Sequence, residues 1–231
     1  MGDKPLNPTQ NESRRYSEIF SQEVSEWFAG YLKGGLADYK FLEPEKPVRT
    51  RNGSKRLDIG ILDRNSYLAL DVSVKTFNFK DRKTNAYSKN FTGRCYELIA
   101  ESLEIRTNYP YSILVALILL PEDGCEDYTD KRPSSFGNAV KTFSKLIQGK
   151  SLEKISFLCD YGFIGLFNES GEINFFDMNQ PPPQKGKPLE IDLLDVHQIS
   201  QILTKQVHER INIRSEASLP ETIKFKWASS N

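Results

Sequence analysis

Lys55-Arg56-Leu57-Asp58-Ile59-Gly60-Ile61-Leu62-Asp63, followed across Arg64-Asn65-Ser66 by Tyr67-Leu68-Ala69-Leu70-Asp71-Val72-Ser73-Val74-Lys75, alternates apolar and polar residues as two β-strands do. Residues two apart along a strand share a face. Leu68, Leu70, Val72 and Val74 therefore fall on one side of the second segment, and Tyr67, Ala69, Asp71, Ser73 and Lys75 on the other. The short polar link makes the two segments an antiparallel hairpin, in which directly opposed residues point to the same side. A turn at Asn65-Ser66 sets Asp58 opposite Ser73 and Gly60 opposite Asp71, whereas a turn at Arg64-Asn65 sets Asp58 opposite Asp71. In both registers Asp58 shares a face with Lys75.

Carboxylate oxygens from Asp58 and Asp71 are hard ligands of the kind Mg²⁺ takes, and an ammonium beside such an ion can position a water or help remove its proton. The chemistry that this face suggests is metal-assisted hydrolysis of a phosphodiester. A half-exposed sheet with an ordinary surface ion pair would show the same alternation. Charge distribution and the order of the flanking elements favour the site.

An Asp on one strand, then an acidic residue, any residue and Lys on the next, resembles the PD-(D/E)xK signature of the restriction-endonuclease-like nuclease superfamily. Asp58 matches the aspartate and Lys75 the lysine; Leu57 stands in place of the proline and Ser73 in place of the second carboxylate. A hydroxyl is a poor ligand for a hard dication, so the missing acid must come from elsewhere. Asp71, one pleat along the same face, is the first choice. Glu97, one helical turn from Glu101 on the next helix, is the second, and Glu23 or Glu26 on the first helix the third.

The resemblance implies an α/β fold with a restriction-endonuclease-like core, a mixed β-sheet flanked by helices. It implies a Mg²⁺-dependent deoxyribonuclease cutting double-stranded DNA, most simply a type II restriction endonuclease, with a repair or recombination nuclease as the neighbouring alternative. Asp58, Asp71 and the carbonyl of Val74 would hold the metal, and Asp58, Asp71, Ser73, Lys75 and Glu97 make up the candidate catalytic set. A cytoplasmic homodimer is expected. Loss of the acid at Ser73 also admits a non-catalytic DNA-binding protein on the same fold.

Charge supports a polyanionic partner. The chain as a whole has a formal net charge of zero, but Arg49 to Arg94 holds eleven basic residues against four acids, an excess of seven. Arg51, Lys55, Arg56, Lys80, Arg82, Lys83, Lys89 and Arg94 are the candidate DNA contacts. Phe77, Phe79, Tyr87 and Phe91 interleave with them and could stack on bases or anchor a loop on the core, and Asn78, Asn85 and Asn90 could read base edges.

Outward from this region, residues 1–13 are polar and expected to fray, with no apolar leader core after the start, and 14–231 are expected to form one nuclease-like domain with a C-terminal helical extension. Amphipathic helices are predicted over 16–33, 93–107, 136–147 and 193–211. The unbroken apolar run Ile113 to Leu120 predicts a strand buried on both faces and is too short to cross a bilayer. Further strands are predicted over 155–168 and 171–176. Cys95, Cys125 and Cys159 lie far apart and His197 and His208 share the last helix, so no zinc spacing exists. Phosphate-loop, dinucleotide and nucleophile-elbow motifs are absent.

Overall fold

The computed structural model describes residues 4–5, 8–42, 47–50, 53–147, 158–183 and 185–217. The first helix, α1 (Gln10–Gly35), starts earlier than its apolar stripe predicts. The Thr9 hydroxyl accepts from the Glu12 amide while the Glu12 carboxylate accepts from the Thr9 amide at 2.8 Å, a reciprocal capping box. Residues 10–13 are therefore helical and not frayed, and Thr9-x-x-Glu12 was the signal in the sequence.

Strands β1 (Lys40–Phe41), β2 (Pro47–Thr50), β3 (Gly53–Arg56), β4 (Ile59–Leu62) and β5 (Leu68–Thr76) follow, then α2 (Phe91–Asn108), β6 (Ile113–Pro121), α3 (Ser135–Phe143), β7 (Tyr161–Phe167), β8 (Ile173–Asp177), β9 (Leu193–Leu194) and α4 (Val196–Ala217). Seven strands form one sheet in the order β1-β4-β5-β6-β7-β8-β9, while β2 and β3 pair separately. The three central strands β5, β6 and β7 are parallel, and the flanking pairs are antiparallel. Parallel neighbours need a crossover, and α2 supplies it between β5 and β6 as α3 lies between β6 and β7. This is the mixed α/β architecture expected, a mixed sheet with helices on both sides. Of the predicted strand over 155–168, residues 155–157 lie outside the described residues, as do Arg51 and 218–231.

Both faces of the sheet are covered. Leu70, Val72 and Val74 of β5, with Ile113, Val115 and Leu117 of β6, pack on Phe20, Val24 and Phe28 of α1 and on Ile199, Leu203 and Val207 of α4. Leu114, Ala116 and Ile118 of β6 point the other way, onto Leu98 and Ile105 of α2 and Phe136, Val140 and Phe143 of α3. The continuous apolar run of β6 reflects this double burial.

Lys55 to Asp63 is not one strand. The chain leaves the β2–β3 hairpin at Leu57-Asp58 and joins the main sheet only at Ile59. Of the two possible registers the first is found, with Ile59 opposite Val72 and Gly60 opposite Asp71. A shift between Ile61 and Leu62 then makes the turn three residues long, with Ser66 at φ 60° and the Asp63 carboxylate accepting from the Asn65 and Tyr67 amides.

A buried ion cluster ties α2 and α4 to the sheet. Arg106 donates to Asp160 at 2.7 Å and to the Ser112 carbonyl at 2.6 Å, Arg210 of α4 donates to the other Asp160 oxygen at 2.9 Å, and the Leu114 amide also donates to Asp160. Among the described residues no helix is long and apolar enough to cross a membrane. Asp160→Ala leaves the buried Arg106 guanidinium without its counter-ion and is expected to cost roughly 3 kcal/mol in urea unfolding; a loss under about 1 kcal/mol would contradict this role for the cluster.

Candidate functional site

Asp71, Ser73 and Lys75 point from β5 toward α2, the face opposite Leu70, Val72 and Val74. The sequence allowed that face to be half exposed, but the structure buries it: Asp71 is 3% and Ser73 9% exposed. A Cβ at Gly60, the residue opposite Asp71, would fall 2.8 Å from both Leu42 Cδ1 and Leu57 Cδ1, so two leucines roof this part of the sheet.

Asp58 occupies the bend between the β2–β3 hairpin and β4. Its Oδ2 accepts from the Val74 amide at 2.7 Å, which fixes the carboxylate against β5 beyond the point where β4 begins to pair. On its outer side Asp58 forms one wall of an open cleft of about 530 Å³ shared with Arg15, Glu18, Ile19, Ser21, Gln22 and Ser25 of α1. Glu23 and Glu26, the acids of α1 singled out in the sequence, are not part of that lining.

From above the sheet, α2 contributes Glu101. Lys75 Nζ donates to Glu101 Oε1 at 3.1 Å, and Lys55 Nζ of β3 lies 3.7 Å from Glu101 Oε2. Glu97 instead pairs with Arg94 at 2.6 Å on the exposed side of the helix. The difference is angular: Glu101 is three residues from buried Leu98 and four from buried Ile105, so it borders the inward stripe. Glu97 lies about 40° further round.

Asp71 feels all of these charges. Burial is the main influence on its carboxyl and pushes it up to about 7; Lys55 opposes the rise, Asp58 and Glu101 add to it, and Lys75 opposes it more weakly. Asp71 Oδ1 is buried with no hydrogen-bond partner. Asp71, Ser73 and Lys75 share the α2 side of β5, Asp58 sits against the Val74 amide near enough to act on Asp71, Glu101 rather than Glu97 reaches Lys75, and Lys55 faces inward. Among the described residues no three His, Cys, Asp or Glu side chains are grouped closely enough to hold a metal by themselves. An ion there would depend on one or two carboxylates, a main-chain oxygen and waters or phosphate, the habit of Mg²⁺. The orphaned Asp71 oxygen and the all-oxygen donor set fit that habit.

The basic run is less free than its sequence excess suggests. Lys80 pairs with Asp123 at 2.8 Å, Lys89 with Asp81 at 2.8 Å and Arg94 with Glu97, while Arg82 donates to the Pro8 carbonyl at 3.1 Å. Arg56, Arg82 and Lys83 are exposed. Phe77, Tyr87 and Phe91 are buried in the core and cannot stack on bases without leaving it; Tyr87 also donates to Asp123. Asn78 is buried and donates to Ser17, and Asn85 and Asn90 hold left-handed turns at φ 51° and 69°. Asn78 is thus committed to the fold, while the Asn85 and Asn90 side chains stay exposed. The three cysteines are buried free thiols.

No protein-family model and no curated protein matches the chain. Among solved structures, that of SfsA from Pyrococcus furiosus in complex with Ca²⁺ is similar at 14% identity with a TM-score of 0.30, over 74% of this chain and 65% of that one. The chain thus spans 65% of the length of that protein.

Asp71 gives the site a pH signature. Its carboxyl is raised from 3.8 to about 7, so the folded state holds the proton more tightly than the unfolded chain does. The resulting stabilisation is complete below the unfolded value and is lost as pH rises from about 4 to about 7. Asp71→Asn has no proton to lose, so its stability relative to wild type should be more favourable at pH 8 than at pH 5 in urea unfolding. An equal difference at the two pH values would show that Asp71 is not held in this way.

Proposed function

We propose that this chain is a Mg²⁺-dependent nuclease that hydrolyses phosphodiester bonds of double-stranded DNA, acting as a site-specific restriction endonuclease. The observation that supports the reading is that the charges of Asp58, Glu101 and Lys75 all act on the buried Asp71 carboxylate, one oxygen of which is left without a partner. Surface ion pairs do not require the burial of a carboxylate, and burial without compensation is costly. A site that recruits a cation accounts for it.

Asp58, Asp71 and the Val74 carbonyl would hold the ion, with Asp71 supplying the acid missing at Ser73. Bound there, Mg²⁺ supplies Lewis-acid stabilisation of a phosphodiester and a water of lowered pKa. Asp58 is held at its place by the Val74 amide, and Glu101 holds the Lys75 ammonium where it can orient a water. Arg15 on the cleft wall and exposed Arg56, Arg82 and Lys83 are the cations best placed for phosphates. Two copies, one for each strand, would complete a double-strand cut.

A second reading, a non-catalytic DNA-binding protein, is favoured by one observation: Glu101 already carries two lysines, as a retired site would. Incubation of unmethylated phage DNA with wild type or Lys75→Ala, with Mg²⁺ or with EDTA, separates the readings. Discrete fragments are expected from wild type in Mg²⁺ alone, with Lys75→Ala reduced at least about a hundredfold. Intact DNA in every lane, together with salt-sensitive retention of DNA, would overturn the nuclease reading in favour of the binder.

A further inference from the structure

Lys55 was expected to meet DNA phosphate, yet its side chain is only 13% exposed and turned toward Glu101. It does not belong to the main sheet. It comes from the separate β2–β3 ribbon, which is fastened to α2 at two other points: Thr50 donates to Glu104 at 2.6 Å, and Tyr109 donates to the Arg49 carbonyl at 2.8 Å. The ribbon therefore delivers one ammonium to a cluster that holds the carboxylates of Asp58, Asp71 and Glu101 and the second ammonium of Lys75.

The two lysines are not equivalent. Lys75 is carried by the central strand and bonds Glu101 at 3.1 Å, whereas Lys55 stands off at 3.7 Å, in ion contact but beyond hydrogen-bond range. Lys55 is nevertheless the favourable charge that Asp71 feels most. A dication entering beside Asp71 would meet repulsion from Lys55 and would make its neutralising charge superfluous. The looser ammonium, on the element outside the main sheet, is the one that can yield.

We propose that Lys55 is a built-in counter-ion of the carboxylate cluster, neutralising Asp71 and Glu101 when no divalent cation is bound and giving way when one binds. The proposal rests on the metal-dependent reading of the site. It makes Lys55 a positioning residue whose removal has opposite effects on the two states: the cation-free protein loses stability, and the cation gains affinity.

Thermal unfolding of the full chain with and without Mn²⁺ tests it, using Lys55→Gln and Lys55→Met as two neutral variants and Lys55→Arg as the charged control, with Mn²⁺ affinity measured by calorimetry. Both neutral variants should melt below wild type without the ion, rise further than wild type on adding it, and bind Mn²⁺ about tenfold more tightly, the order of effect of removing one nearby like charge. Lys55→Arg should behave as wild type. A neutral variant that folds only with Mn²⁺ supports the proposal equally. Equal Mn²⁺ increments in all four proteins would overturn it while leaving the metal site standing. Absence of any Mn²⁺ effect in all four would overturn both the counter-ion role and the metal-dependent reading.

Discussion

A strand covered on both faces has to account for every polar group that it carries. β5 is such a strand, and on the side toward α2 it presents Asp71 and Ser73 where its neighbour β6 presents Leu114, Ala116 and Ile118. An isolated carboxylate at that depth is expensive, and it persists only if it keeps a proton or gathers positive charge. The surrounding structure does both. The bend at Asp58, the β2–β3 ribbon and the inward edge of α2 bring Lys55, Lys75 and Glu101 to the same spot, and the Asp71 carboxyl rises to about 7. The geometry of the hairpin, the docking of the ribbon and the rotational setting of α2 are all linked to this one buried group.

The period-2 pattern carried much of the fold. Alternation from Leu70 to Lys75 assigns the two faces of β5, and the apolar run of Ile113 to Leu120 assigns a central strand, because local sterics and burial fix these patterns irrespective of distant partners. The register shift at Ala69 turns Leu68 to the α2 side and Ala69 to the α1 side, the reverse of what simple alternation predicts. The alternation does not tell whether the polar face meets water or a helix. That depends on α2, which folds over it from the next crossover. The strand break at Leu57-Asp58 was equally hidden, since Arg56 to Ile61 alternates smoothly across it, while the separate pairing of the ribbon and its docking on α2 are tertiary features.

Within the candidate site, Asp58 and Lys75 stood out by their resemblance to a motif, and Asp71 by the strand face it shares with Lys75. Glu101 was legible in principle from its neighbours Leu98 and Ile105, but a choice between two acids one turn apart hinges on the helix setting, a tertiary quantity. The charge run was the least faithful signal. Its excess is local in sequence only, and Asp123, Glu97 and Glu101 from elsewhere in the chain cancel part of it in space. Aromatic interleaving misled for a related reason, since Phe77, Tyr87 and Phe91 anchor the loop after β5 to the core.

On the metal-dependent reading proposed above, the orphaned Asp71 oxygen is a ligand of a cation. Crystals grown or soaked with Mn²⁺ and measured at an anomalous wavelength address it without reference to activity or to DNA. The expected result is a single strong anomalous peak within about 2–2.5 Å of an Asp71 carboxylate oxygen, with an Asp58 oxygen also in the coordination shell. A fully occupied Mn²⁺ elsewhere on the protein, with none at Asp71, would contradict it.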